Sequence, residues 1–415
     1  MRTGLTLSTK LVALTALIGV GGAGLVAFST GRDVAEDSPP FEFDPELSRP
    51  FLEFHADLLH AVYSDSAALA SALREAVDRL VATPGAESLE AARAAWIRAR
   101  TSYLQSEIAR FSQGPVDASS DAPERFMNAW PLDESILDYV QGAPAAGLVN
   151  DSARYPALDR ATLRAANESG GETHITTGWH AIEFLLWGQD PVLGPGGGTR
   201  SPLDFLPGGG TAPNEARRGA CLKVLAEMLE ADLAFLREEW APGVEGNYRA
   251  WFMSAITKPD LARILTGVGT LAYGELRGER LVVPFTLKDR ENEHSCFSDT
   301  THLDHVNDMI GVRNVWEGRY RSSDGRRDVA GTGLRDLALR FDPALAADVE
   351  RRIDAAIDAL RDPALIPFEL AILGDDAAPG RVALQRALDR LAEFNQSFCA
   401  LAARLGAPIG TTLAR

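Results

Sequence analysis

The sequence predicts an all-α fold of helical bundles joined by irregular loops. Apolar residues recur at helical spacing over long stretches, at about residues 52–82, 87–112, 174–187, 213–240, 247–276, 343–361 and 380–405. Patterns typical of strands are scarce, and the best of them, Leu281-Val282-Val283, ends at Pro284. With 415 residues, the chain is long enough to bury a large core.

Residues 1–30 predict an export signal. Arg2 and Lys10 precede an apolar run from Leu11 to Phe28. The run is short and broken by glycine, as in a secretory signal. A retained N-terminal membrane anchor is the alternative, since a run of this length can span a bilayer. In either case we expect the rest of the protein to be exported and to be periplasmic, associated with the cell envelope or secreted.

The remaining chain divides into a linker and a long helical body. Residues 31–50 are acidic and interrupted by four prolines, which predicts a solvated linker, and the body then runs over 51–405. Two loops interrupt the helical patterns. Residues 188–211 are rich in glycine and proline but lack a phosphate-binding motif, and residues 284–311 are polar and hold three of the seven histidines.

Charge and cysteine content exclude several kinds of protein. The net charge is −17, and it becomes −19 when a signal that contains Arg2 and Lys10 is cleaved off. This negative charge argues against nucleic acid and anionic membrane surfaces as partners. Cys221, Cys296 and Cys399 allow one disulfide at most. We therefore expect the fold to be stabilised by packing.

The helical stretch from Gly178 to Trp187 holds the first candidate site. His180 and Glu183 are three residues apart, so they share one face of a helix that is otherwise apolar on all sides. A buried imidazole beside a buried carboxylate must be hydrogen-bonded, paired or bound to a metal. The pair alone matches neither the His-Glu-x-x-His pattern of zinc peptidases nor the Glu-x-x-His pattern of di-iron bundles.

Two further clusters of polar residues favour a functional site over a purely structural pair. Asp133 and Glu134 follow Pro131, where one of them caps a helix and the other is a candidate carboxylate ligand or base. His294 and His302 lie within nine residues of each other and flank Cys296. Nitrogen and oxygen donors in this number suit iron, zinc or copper.

A weak internal repeat suggests duplication. The segment Thr177–Phe184 aligns with Thr266–Tyr273, where Gly269 and Ala272 take the places of His180 and Glu183. One short block of similarity leaves both a duplicated bundle and chance open.

Together these motifs resemble the imelysin-like family, and within it the branch of iron-regulated protein A. Four segments carry the resemblance, in family order: Trp130-Pro131-Leu132-Asp133-Glu134, Gly178-x-His180-x-x-Glu183, Gly274-Glu275-Leu276-Arg277-Gly278-Glu279-Arg280 and the run from Glu293 to His302. The resemblance implies two related helical bundles, at about 51–240 and 241–405, with the signature helix near their interface. It also implies an exported protein linked to iron acquisition. The signature residues of the family carry over to His180 and Glu183, and the residues that match neighbouring family motifs are Asp133, Glu134, His294, Ser298, Asp299 and His302.

Three functions remain open from the sequence. The first is a metal-binding protein of iron uptake or handling, with His180 and Glu183 as ligands. Its remaining ligands would come from Asp133, Glu134, His294 and His302, supported by Ser298 and Asp299. The bound group would be a divalent or ferric metal ion, with iron favoured over zinc and copper, or an iron-containing ligand. Its protein partners would be components of iron uptake in the membrane or cell envelope. The second is a zinc-type peptidase with Glu183 as its base, and the third is a helical interaction protein with a structural His180–Glu183 pair.

Overall fold

In a computed structural model, residues 43–210 and 212–409 are described, and helices dominate them. The predicted all-α class is confirmed. The predicted export signal and most of the predicted linker lie outside the described residues. Within the described part of the chain, none of the helices combines the length and apolar character needed to cross a membrane.

The first helix begins six residues before the predicted start of the helical body. The helix α1 starts at Pro45, after Asp44, whose side chain accepts a hydrogen bond from the Glu46 amide, so the predicted linker ends before residue 50. Proline suits this first position because its missing N–H would have no helical partner there. The helices are α1 Pro45–Ala82, α2 Ala86–Leu104, α3 Glu124–Met127, α4 Glu134–Leu137, α5 Arg160–Ala166, α6 Gly178–Trp187, α7 Glu215–Glu239 and α8 Tyr248–Ser254.

The second part of the chain corrects two predictions. The Leu281-Val282-Val283 run is helical rather than strand-like, and the predicted loop 284–311 contains the start of a 17-residue helix, α11. The elements are α9 Lys258–Gly269, a π-helical segment Thr270–Val282, α10 Val283–Leu287, α11 Thr301–Glu317, α12 Leu334–Ala338, α13 Pro343–Leu360, α14 Phe368–Leu373 and α15 Pro379–Arg404. Short 3-10 turns lie at Glu107–Ala109, Pro202–Phe205, Arg290–Asn292 and Pro363–Leu365.

A small antiparallel hairpin follows α11. Its strands, β1 Arg319–Arg321 and β2 Asp328–Ala330, pair with Tyr320 opposite Val329. Tyr320 is buried and its hydroxyl donates to Asp65 on α1 at 2.8 Å, which fixes the hairpin against the first long helix.

The long helices pack in two groups. The helices α1, α2, α6 and α7 pack on one another, and so do α11, α13, α15 and the helical segment that ends at Val282. The helix α2 also contacts α11, so the two groups meet there. Buried apolar side chains from both groups form one continuous hydrophobic cluster. The three cysteines form no disulfide with one another.

The two segments of the internal repeat differ in local structure. Thr177 precedes the first residue of α6, and Gly178 has a φ of 84°. Thr266 and Gly267 instead lie within α9. Duplication of a helical bundle therefore stays a prediction, and the local structure of these two segments does not add support to it.

One buried histidine on α1 makes stability depend on pH. The His55 ring packs near Phe51, Trp240 and Phe252, at 6.1–6.5 Å between ring centroids, and burial lowers its pKa to about 3. In the unfolded chain the same imidazole titrates near 6.5, so this contribution to stability is full above that pH and is lost as the pH falls towards 3.

We therefore expect His55→Phe to make the protein more resistant to acid. The free energy of unfolding of the variant, relative to the wild type, should rise by about 1.4 kcal/mol per pH unit below pH 6.5. Urea unfolding of both proteins at neutral and mildly acidic pH measures this difference. A difference that stays constant with pH would contradict it.

Candidate buried site around Arg100

The helix α6 carries the signature pair into the core. Gly178 at its start has a φ of 84°, and a Cβ there would lie 2.3 Å from the carbonyl oxygen of Met127. Only glycine takes this backbone shape and this close approach without strain. All ten residues of α6 are buried, as its sequence predicts.

His180 and Glu183 contact each other across one turn of α6. The His180 Nδ1 and Glu183 Oε2 atoms are 2.9 Å apart. The second carboxylate oxygen of Glu183 accepts from the backbone N–H of Ser298 at 3.0 Å and from its hydroxyl at 2.7 Å. Burial raises the pKa of Glu183 to about 8, while the Ser298 hydrogen bonds act in the opposite direction. The pair thus ties α6 to the segment before α11.

The other nitrogen of His180 faces an arginine. Arg100, on α2, places its Nη2 atom 3.3 Å from His180 Nε2. Burial, and then the charge of Arg100, hold the pKa of His180 well below its usual range, so the ring is neutral. A guanidinium only donates hydrogen bonds. His180 therefore accepts at Nε2 and donates from Nδ1 to Glu183.

Arg100 is held by several groups at once. Its Nη2 atom donates to Asp304 Oδ2 at 3.2 Å and lies 3.2 Å from His294 Nδ1, and its Nη1 atom donates to Asn128 Oδ1 at 2.8 Å. Its guanidinium carbon lies 5.7 Å from the ring centroid of Trp96 and 5.8 Å from that of Trp179. We call the set Arg100, Asn128, His180, Glu183, His294 and Asp304 the Arg100 network.

His294 is oriented by its neighbours in the same network. Its Nδ1 atom lies 2.8 Å from Asp304 Oδ2, which also accepts from the Ser295 hydroxyl at 2.7 Å. Trp130 packs edge-on against the ring, at 5.4 Å between centroids, and its indole N–H donates to the Glu293 carbonyl. Burial and then Arg280 hold the pKa of His294 well below its usual range.

A second buried arginine lies beside the Arg100 network. Arg280 is fully buried and faces three carboxylates, with Nη1 2.9 Å from Asp308 and Nη2 2.7 Å from Glu107 and 3.1 Å from Glu275. Glu107 also accepts from the Asn128 amide and so connects the two arginines. The geometry between Nη2 and Glu107 Oε2 is that of an ion pair, because the angle is poor for a hydrogen bond.

The structure brings some of the predicted site residues together and places others apart. His180, Glu183, His294 and Ser298 lie in or against the Arg100 network, as described above. Asp133 is exposed and caps α4 by accepting from the amide and hydroxyl of Ser135. Glu134 lines a separate cleft with Glu291 and Glu369. His302 is half-buried near the start of α11, and its Nδ1 atom has no hydrogen-bond partner among the described residues.

Sequence reasoning missed the charged residues that organise the site. Arg100 and Asp304 are 204 positions apart in the sequence, and Arg280 and Glu107 are 173 positions apart. A signal for Arg280 was present, since it closes the Gly274–Arg280 segment that carried the family resemblance. For Arg100, the sequence of α2 offered no such signal.

The donor set fits a metal in kind but not in arrangement. Two imidazoles and a carboxylate, from His180, His294 and Asp304, are common ligands of iron and zinc. However, these three side chains converge on the Nη2 atom of Arg100, at 3.2–3.3 Å. The guanidinium therefore takes the position that a cation would need, and these residues as arranged do not fit a bound metal ion.

Comparisons with known proteins agree with the motifs. The family model for imelysin (peptidase M75) matches residues 59–398. Iron-regulated protein A of Synechococcus elongatus is 26% identical over 306 residues, which cover 72% of this chain and 70% of that protein. A crystal structure of a protein described as an iron-regulated protein A precursor, from Parabacteroides distasonis, has a TM-score of 0.67 and 19% identity, and the match covers 89% of this chain and 97% of the other. At 19% identity, the similarity to this crystal structure shows a shared fold alone.

Proposed function

The chain belongs to the imelysin family, and from this we propose that it is an exported iron-handling protein that binds metal ions without cleaving peptides. In this proposal the Arg100 network is structural, and the His180–Glu183 pair supports the fold rather than a reaction. The similarity to iron-regulated protein A supports the link to iron. The apolar run at Leu11–Phe28, with Arg2 and Lys10 before it, supports export.

The observation that carries the proposal is the closure of the Arg100 network. Arg100, His180, His294 and Asp304 are each 1% exposed, and Glu183 is fully buried. A zinc-type peptidase needs an open coordination position and a base that reaches a water molecule and the peptide. The hydrogen-bonding atoms of His180 are both engaged, and both carboxylate oxygens of Glu183 are engaged. This arrangement favours a structural role over peptidase chemistry.

The test compares the wild type with His180→Gln combined with Glu183→Gln. We expect the purified wild-type protein to bind Fe²⁺ under anaerobic conditions and to leave an unfolded protein substrate intact. The double variant should be less stable, because it weakens a buried network, but its affinity for Fe²⁺ should stay within twofold of the wild type. Calorimetric titration, a gel-based cleavage assay and circular dichroism give the three readouts.

A matched control is His60→Gln, which changes a half-buried histidine outside the network. Cleavage of the substrate by the wild type but not by the double variant would overturn the proposal in favour of a peptidase. Loss of Fe²⁺ binding in a folded double variant, but not in the control, would instead place the metal at His180. A wild type that binds no metal would overturn the proposal as a whole.

A further inference from the structure

A cleft outside the Arg100 network is lined mainly by acids, together with Arg290, Cys296 and Phe297. Its charged lining residues are five carboxyl groups and a single guanidinium: Glu134, Asp190, Arg290, Glu291, Glu293 and Glu369. The free space at its centre is about 10 Å³, which is room for one water molecule or one ion. The charge inside the cleft is therefore poorly balanced by the protein itself.

Three carboxylates, two of which line this cleft, are spaced as ligands. Oxygen atoms of Asp190, Asp299 and Glu369 all lie within 4.8 Å of one another. Calcium binds oxygen at 2.3–2.6 Å, so two ligand atoms on opposite sides of one such ion are about 5 Å apart. We call Asp190, Asp299 and Glu369 the carboxylate triad. One ion at its centre could reach all three side chains.

The backbone around the triad holds its side chains in place. The Gly197 amide donates to Asp299 Oδ2 at 2.7 Å, and the Gly194 amide donates to Glu369 Oε1 at 2.5 Å. Arg290 donates to the other oxygen of Glu369 at 3.2 Å and lies 3.7 Å from Asp190. Each carboxylate oxygen accepts more than one bond, so these contacts orient the triad and leave lone pairs available.

A fourth carboxylate gives the independent sign of a ligand. Glu293 lines the same cleft, is 1% exposed, and its Oε2 atom has no hydrogen-bond partner among the described residues. Burial and then the negative charge of Asp299 raise its pKa well above the usual range, while the Thr301 side chain, as a hydrogen-bond partner of the carboxyl group, opposes the rise. An unpaired buried carboxylate oxygen is costly. A cation bound at the triad would remove that cost.

The pKa values of other acids in and beside the cleft are raised as well. Burial raises the pKa of Asp299 to about 6, and Asp190 and Glu369 add to the rise. Burial and then Glu134 raise the pKa of Glu291 to about 7. Carboxyl groups that are crowded and buried in this way repel one another when ionised. A bound cation would relieve that repulsion.

We propose that Asp190, Asp299 and Glu369 form a site for one hard divalent cation, beside the unpaired oxygen of Glu293. A set made only of carboxylate oxygens suits ions such as Mn²⁺, Ca²⁺ or Fe²⁺ rather than ions that prefer sulfur. The inference rests on the proposed metal-handling function and gives it a location. The site does not include His180, but Glu293 and Asp299 are chain neighbours of His294 and Ser298, which belong to or contact the Arg100 network.

The test uses Mn²⁺ as the probe, with calorimetry and electron paramagnetic resonance as readouts. We expect the wild type to bind one Mn²⁺ at the site, and Fe²⁺ to compete with it. The combination of Asp190→Asn, Asp299→Asn and Glu369→Gln should weaken Mn²⁺ binding at least 100-fold. Glu293→Gln, which keeps the triad, should weaken it about tenfold and leave circular dichroism unchanged.

A matched control separates the site from a general effect of charge. Asp121→Asn, Glu172→Gln and Glu245→Gln remove the same three charges at exposed positions, and this variant should bind Mn²⁺ within twofold of the wild type. Wild-type binding that survives the triad substitutions would overturn the inference but leave the proposed function intact. If the triad variant does not fold, unchanged affinity in Glu293→Gln overturns the inference. A wild type that binds neither Mn²⁺ nor Fe²⁺ overturns both.

Discussion

Replacing Arg280 with methionine is expected to destabilise the protein by about 3–5 kcal/mol. Arg280 is fully buried, and its substitution leaves Glu107, Glu275 and Asp308 facing one another with their main counter-charge gone. Burial already raises the pKa of Asp308 well above its usual range, with the charge of Arg280 opposing the rise. Without Arg280 these groups must either stay charged in the core or take up protons.

Arg74→Met is the matched control for this prediction. Arg74 pairs with Glu230 at 2.6 Å, but both side chains are about 30% exposed, and exposed pairs contribute only about 0–1 kcal/mol. Urea unfolding followed by circular dichroism gives the free energy of unfolding of both variants. Adding Asp308→Asn to Arg280→Met should recover part of the loss, because it removes one buried charge. Equal effects of Arg280→Met and Arg74→Met would contradict the prediction.

Gly178→Ala is expected to destabilise the protein by about 3 kcal/mol or more. The alanine Cβ would lie 2.3 Å from the Met127 carbonyl oxygen and 2.7 Å from that of Phe126, at a φ of 84°. Both contacts are with backbone, so relief requires moving the start of α6 and with it His180 and Glu183. The glycine of the signature segment is thus required by the close approach of two backbones.

Gly142→Ala isolates the part of this cost that comes from φ alone. Gly142 has a φ of 83°, but a Cβ there would meet no atom within 4 Å. The cost at this position should be only about 1–2 kcal/mol, the strain of an ordinary residue in the left-handed region. Unfolding by urea measures both variants side by side. Equal losses at the two positions would show that contact with Met127 does not matter.

The sequence was most informative where function and local geometry coincide. A spacing of three predicted that His180 and Glu183 share a helix face, and the apolar surroundings predicted their burial. Asp133 beside Pro131 suggested a helix cap, and Asp133 does cap α4, although that helix begins at Glu134 rather than at the proline. These features depend on residues within one or two turns of each other.

The prediction from the sequence was wrong where the core itself is polar. The helix α11 was predicted as part of a loop, because its buried positions include Asp304, His305, Asn307 and Asp308. Periodicity methods look for an apolar face, whereas two acids of this helix, Asp304 and Asp308, are paired with arginines from α2 and the π-helical segment. Which acid pairs with Arg100 or Arg280 is set by tertiary packing over long stretches of chain, and no local pattern carries that information.

The position of Arg100 has a consequence for how the protein matures. Zinc fingers and similar domains fold only when their ion arrives, because the ion alone neutralises their ligands. Here the neutralising charge is attached to the polypeptide, so its local concentration is fixed by the chain and does not depend on the supply of metal. The Arg100 network can therefore form without a metal ion. Under the proposed function, a chain exported into surroundings poor in iron would complete this network first and encounter iron later.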